Sequence, residues 1–178
     1  QAGLALSTAT DCTAIGMQAL KNEDVGSRST AIGTQALYNQ NTASAANVNN
    51  TAVGAFAGYR NVTGTNNTYI GLSAGEGTSG GAVSNSNNTA VGSGALQVIT
   101  DGGENVAIGN ATGDALTTGH NNVFVGRAAG SATVEVSDTV IIGADAAEAN
   151  MTTAANGTVA IGKQALQSLT AGAQNVAI

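Results

Sequence analysis

One histidine, one cysteine and eleven carboxylates are all that this chain offers for proton transfer, nucleophilic attack or metal binding. His120 is the single histidine, in the run Gly119-His120-Asn121. Three copies meeting on an axis would make an ion site, but a lone turn histidine is ordinarily solvated. Cys12 has no partner for a disulfide or a zinc site. No histidine lies near it in sequence to act as its base, so it reads as a small buried thiol. Glu23 with Asp24, and Asp101 with Glu104, are the pairs that glycan hydrolysis would require. They lie in separate turns without supporting aromatics. Asp101, Glu104, Asp114, Asp138 and Asp145 fall at unrelated phases and form no calcium ladder. The Gly-rich stretch from Gly75 to Gly81 lacks the lysine of a phosphate loop. The sequons at Asn49, Asn61, Asn66, Asn87, Asn110, Asn150 and Asn156 come mostly from a recurring phrase. The expectation is therefore a non-enzyme, with no catalytic residue, no metal and no cofactor. Tyr38, Tyr59 and Arg60 stand out instead as surface-contact candidates, since aromatic and Arg side chains dominate contact energetics.

The elements that would carry such residues are set by repetition. The phrase reads Cys12-Thr-Ala-Ile-Gly16, Ser29-Thr-Ala-Ile-Gly33, Asn50-Thr-Ala-Val-Gly54, Asn67-Thr-Tyr-Ile-Gly71 and Asn88-Thr-Ala-Val-Gly92. It continues as Asn105-Val-Ala-Ile-Gly109, Asn122-Val-Phe-Val-Gly126, Thr139-Val-Ile-Ile-Gly143, Thr158-Val-Ala-Ile-Gly162 and Asn175-Val-Ala-Ile178. The glycines at 16, 33, 54, 71, 92, 109, 126, 143 and 162 are 17, 21, 17, 21, 17, 17, 17 and 19 residues apart. The period is thus 17, with insertions near 39–49, 76–87 and 148–157, in Asn-, Ser-, Gly-, Ala- and Thr-rich stretches that read as loops. A second phrase, Ala-Leu or Ala-Gly, follows three residues after most of the glycines. The chain opens and closes mid-repeat, which predicts one array over 1–178, excerpted from a longer array.

In every copy the residue before the glycine is Ile or Val, and the residue two earlier is Thr or Val. β-branched residues two apart predict a short strand with both on one face. That face is expected to line the coil, with Ile15, Ile32, Val53, Ile70, Val91, Ile108, Val125, Ile142 and Ile161 as core. The residue between is Ala in seven of ten copies. Ala52, Ala90, Ala107 and Ala160 are expected to point out and admit a second chain closely, with Tyr69 and Phe124 filling wider places in that contact. Asn50, Asn67, Asn88, Asn105, Asn122 and Asn175 would stack in register and share hydrogen bonds. Gly or Asn seven residues before the glycine marks a second turn. With two turns in 17 residues, the Ala-Leu phrase has room for at most a single helical turn.

The fold class is therefore all-β, a parallel β-roll or β-solenoid of about ten 17-residue coils. Asn-Thr-Ala-Ile/Val-Gly-x-x-Ala-Leu at this step resembles the repeats of trimeric bacteriophage tail-fibre shafts and of trimeric autotransporter adhesin heads. The resemblance covers essentially the whole chain. It implies a left-handed roll, a homotrimer, and an extracellular place on a cell surface or a virion tail. It also implies attachment to a host glycan or protein through a tip outside this segment.

Composition agrees with such an array. Only 3% of residues are aromatic and 9% charged, too few for an ordinary globular core or a charge-extended disordered chain. The net charge of −6, with five scattered Lys and Arg, disfavours nucleic acid. No apolar run approaches the roughly 18 residues of a membrane helix, so no membrane contact is expected, and no signal peptide opens the chain. A different class, a monomeric solenoid that binds a repetitive surface such as ice, would use Thr13, Thr30, Thr51, Thr68 and Thr89. That column changes to Val from Val106 onward.

Overall fold

The structure is a computed structural model that describes residues 1–42, 47–78 and 83–178. The centres of the first two insertions, and part of the Gly75–Gly81 stretch, lie outside the described residues. The chain forms one sheet of ten parallel strands, ordered β1 to β10 as in the sequence. They are β1 Thr13–Ile15, β2 Thr30–Ile32, β3 Thr51–Val53, β4 Thr68–Ile70, β5 Thr89–Val91, β6 Val106–Ile108, β7 Val123–Val125, β8 Val140–Ile142, β9 Val159–Ile161 and β10 Val176–Ala177. Consecutive strands pair phrase on phrase, so Thr13 faces Thr30, Ala14 faces Ala31 and Ile15 faces Ile32. The register holds across the insertions, with Thr30 opposite Thr51 and Val140 opposite Val159. The chain is thus a β-solenoid whose strand register is unchanged by the insertions. Among the described residues the only helix is a 3₁₀ turn, Thr153–Ala155, inside the third insertion. The Ala-Leu phrase forms turns.

The glycine column fixes the coil spacing. Its φ angles run from 122° at Gly16 to 140° at Gly109, where L side chains are strained. A Cβ on Gly54 would sit 2.4 Å from the carbonyl oxygen of Gly71, one coil on. Backbone meets backbone there, and any other residue would push the coils apart. Before β3 to β7, a buried Asn ties neighbouring coils. The Oδ1 of Asn50 accepts the Asn67 backbone N–H at 2.9 Å, and those of Asn67, Asn88, Asn105 and Asn122 repeat the bond up to Thr139. Each Nδ2 donates to the carbonyl of the second turn, as Asn88 does to Gly102 at 2.9 Å. The expected amide column exists, and it closes the strand onto the turn opposite.

The expected orientation of the strands is reversed. Ala52, Ala90, Ala107 and Ala160 are fully buried inside their own coils, together with Ala31, Tyr69, Phe124 and Ile141. They cannot form the outward stripe of a trimer contact. The proposed core residues point outward: Ile15, Ile70 and Ile108 are exposed, and Ile32, Val53, Val91, Val125, Ile142 and Ile161 are half-buried. The reason is thickness. A 17-residue coil brings the strand close to the Ala-Leu turn behind it, and that gap accepts Ala against Leu. The core holds Ala31, Ala52, Ala90 and Ala107 with Leu20, Leu37, Leu96 and Leu116. A second β-branched layer would not fit a closely packed interior.

The two rings in the alanine column test this packing. Where the strand carries Tyr69, the leucine position behind it is Gly58 and Gly75. A Cβ on Gly75 would lie 2.2 Å from the Tyr69 ring. Where it carries Phe124, the same position is Gly113 and Gly130, with the ring 2.7 Å from a Cβ on Gly113. Each ring takes the volume of leucine side chains in adjoining coils. Burial pushes the Tyr69 phenol well above its ordinary range, and its hydroxyl donates to Asn85 Oδ1. Tyr69 and Phe124 therefore belong to the core, not to an interface.

Candidate functional site

Chemistry-bearing residues are scattered by the coil geometry. His120 is exposed in the second turn, its Nδ1 accepting the Gly103 N–H at 3.0 Å while its own N–H donates to Ser137 Oγ at 3.1 Å. It serves as one rung of a side-chain-to-backbone ladder, away from the sheet face. Asp101, Glu104 and His120 share a polar recess of about 250 Å³ with Ser84, Ser86, Asn87 and Gly103. Among the described residues no three His, Cys, Asp or Glu gather closely enough to hold a metal ion. Cys12 is half-buried in the asparagine column, with its Sγ 3.5 Å from the Gly26 carbonyl. Glu23 is fully buried, and Oε1 accepts the Gly26 N–H at 2.7 Å and the Thr42 hydroxyl at 3.2 Å. Its Oε2 accepts Gln40 Nε2 at 3.0 Å. That carboxylate is saturated by the fold and has no face toward a substrate.

Two surfaces remain. The first is the outward sheet face. One column runs through all ten strands, Thr13, Thr30, Thr51, Thr68 and Thr89 followed by Val106, Val123, Val140, Val159 and Val176, and beside it a second runs through nine, from Ile15 to Ile161. Neither column contains a charge. Polar residues two before the strands, such as Asp11, Arg28, Glu104 and Asp138, border it on one side. A flat, uncharged, β-branched strip of this length is an association surface by composition.

The second surface is a corner beyond the glycine turn, five residues after each glycine. Its column reads Lys21, Tyr38, Tyr59, Glu76, Gln97, Asp114. Tyr38 and Tyr59 stack with centroids 5.2 Å apart and planes 25° apart. Phe56 stands at 71° to Tyr59, with centroids 5.9 Å apart. Lys21 Nζ donates to the Tyr38 hydroxyl at 3.0 Å. The Arg60 guanidinium lies 5.0 Å from the Tyr59 ring centre and pairs with Glu76 Oε1 at 3.1 Å. Gln97 Nε2 reaches the other Glu76 oxygen at 3.4 Å. Further along, burial pushes the Asp114 carboxyl up, opposed by hydrogen bonds from backbone N–H groups at Asp114 and Ala115.

The sequence-predicted contacts Tyr38, Tyr59 and Arg60 thus come together at one corner. Phe56, Glu76, Gln97 and Lys21 join them, and reading by residue type alone did not find these four. The signal was present: all five members other than Phe56 and Arg60 share one phase of the repeat, which Lys21 begins. Comparison with protein-family models, with curated proteins and with solved structures found no match for this chain.

Proposed function

We propose that this chain is a structural and adhesive segment of an extracellular fibre, on a cell surface or a virion tail, built from three copies along a common axis. The supporting observation is the outward sheet face: two uncharged β-branched columns, one over ten strands and one over nine. Three such faces meeting at an axis would remove from water a strip that a single chain leaves half-exposed, at roughly 25 cal/mol per Å² of apolar surface. The alanine columns, being internal, contribute nothing to that contact. Stiffness follows from the coil stack, roughly 4.8 Å per strand. The fibre would hold its binding elements away from the body that carries it. The test is mass in solution, by sedimentation or mass photometry. A trimer has three times the 17.2 kDa of one chain, and Val125→Arg with Ile142→Arg should return it to monomer without unfolding it. A clean monomer for the unaltered chain contradicts the reading.

A second reading keeps one observation of its own. The threonines at 13, 30, 51, 68 and 89 lie outward and in register, a regular hydroxyl column on a flat face. A monomer that binds a repetitive lattice such as ice would use it. The column stops at Val106, halfway along the sheet. Thermal hysteresis from a monomer would favour this reading over the fibre.

A further inference from the structure

We propose that the aromatic corner is a saccharide-binding site on the flank of the coil stack, engaging pyranose rings along the fibre axis. The proposal rests on the adhesive part of the reading above and is independent of its stoichiometry. Three observations carry it. The chain has five aromatic residues. Tyr69 and Phe124 are buried, and the other three, Tyr38, Phe56 and Tyr59, are partly exposed at this one corner. Next, Phe56 holds φ at 59°, a left-handed conformation that a bulky side chain resists. The same position carries Gln18, Gln35, Ser73, Gly94 and Ala111 in other coils. All of these hold the left-handed conformation too, so the turn belongs to the coil and the ring is an addition that coil stability does not ask for. Finally, the corner lies past the glycine turn, off the sheet face, so association through that face leaves it open.

The chemistry fits a sugar. The C–H groups on one side of a pyranose are weakly positive and pack on the negative face of an aromatic ring. Phe56, edge-on to Tyr59 and partly exposed, supplies such a surface. The Tyr59 hydroxyl has no hydrogen-bond partner among the described residues. Arg60, Glu76 and Gln97 follow in successive coils as a guanidinium, a carboxylate and an amide, planar groups that pair with neighbouring hydroxyls. Their order along the stack suits an extended chain of sugar units more than a single one.

The experiment is affinity electrophoresis of the whole 178-residue chain through gels carrying one of three soluble polysaccharides: a neutral hexose polymer, an N-acetylhexosamine polymer and a uronic-acid polymer. At least one should retard the chain. Phe56→Asn relieves the left-handed strain, since Asn tolerates that conformation, so its fold is secure. It should weaken retardation about tenfold, as should Tyr59→Ala. Retardation by none of the three, or retardation unchanged in both variants, overturns the site. Mass measured on the same samples separates the two proposals: a trimer without retardation overturns this site alone, and a monomer with retardation overturns the trimer alone.

Discussion

The two halves of the solenoid share a backbone and differ in what fills it. Seven residues after six of the nine glycines, a buried side chain plugs the end of the coil. In the first half these are Glu23, Gln40 and Asn61, all fully buried. In the second they are Ile99 and Leu116, buried as well, with one polar plug, Thr133, whose hydroxyl donates to the Gly130 carbonyl at 2.7 Å. The outward column changes in parallel, from Thr up to Thr89 to Val from Val106. The backbone register is the same on both sides, with Thr89 paired to Val106 and Ala90 to Ala107. What is constant across the change is the glycine column and the asparagine ladder. The coil is therefore specified by backbone approach and amide bonding, and its plug is free to be polar or apolar provided it is satisfied. The first half meets that condition through one network. Gln40 Nε2 bonds Glu23 and Ser29, each at 3.0 Å, and its Oε1 accepts Asn50 Nδ2 at 2.9 Å.

The largest effect expected lies in the second half, at the ring that replaces alanine. Phe124→Ala should cost about 3–5 kcal/mol, because Gly113 and Gly130 leave nothing to fill the space. Gly113→Leu alone should clash with the ring. Combined with Phe124→Ala it recreates the Ala-with-Leu pairing of other coils, at φ of 57° where Leu96 already sits at 49°. Denaturant unfolding of the three variants checks this. Recovery of at least half the loss in the double variant is expected, and simple additivity would show that ring and glycine do not share one space.

Next in size is the polar plug of the first half. Gln40→Leu leaves Glu23 Oε2 and Asn50 Nδ2 short of a buried partner, at about 1–3 kcal/mol. Glu23→Gln with Gln40→Leu should recover part of it by removing the charge. If Gln40→Leu is neutral, the halves differ less than their hydrogen bonds indicate. The smallest effect concerns pH. Burial raises the folded pKa of Asp114, so the native state holds this proton more tightly than the unfolded chain does. Its contribution is favourable at acid pH and is lost as pH rises through the folded pKa. Asp114→Asn should therefore raise the melting temperature at neutral pH, with the gain shrinking as pH falls through the carboxylate range.

Much of this was legible in the sequence, and one part was inverted. The period, the register, the turns and the insertions follow from counting between glycines. The amide ladder follows from Asn50, Asn67 and Asn88 at one phase. The facing of the strand did not, although the residues held the answer. Asn105 and Ala107 are two apart, so a buried Asn requires a buried Ala and an outward Val106 and Ile108. Hydrophobicity argues the other way, and only the thinness of the coil decides between them. With Ala inside, the exchange of Leu for Gly at 58, 75, 113 and 130 becomes readable as space for Tyr69 and Phe124. The corner was half-visible: Tyr38, Tyr59 and Arg60 stand out by type, whereas Glu76 and Gln97 gain meaning only from their shared phase. The buried Glu23 had no signal of composition, because its partners Gln40 and Thr42 come from the next coil.

The facing of the strand is the central claim, and neighbouring residues in β6 test it most directly. Ala107→Asp places a carboxylate in a dry interior with no partner, at a cost of several kcal/mol. Ile108→Asp places the same group on the outward face. Thermal unfolding should be measured for both at a concentration where the unaltered chain is monomeric, so that association does not enter. The account predicts a collapse of the melting temperature for Ala107→Asp and little change for Ile108→Asp. The reverse pattern, with Ile108→Asp unfolding the coil and Ala107→Asp tolerated, would contradict it.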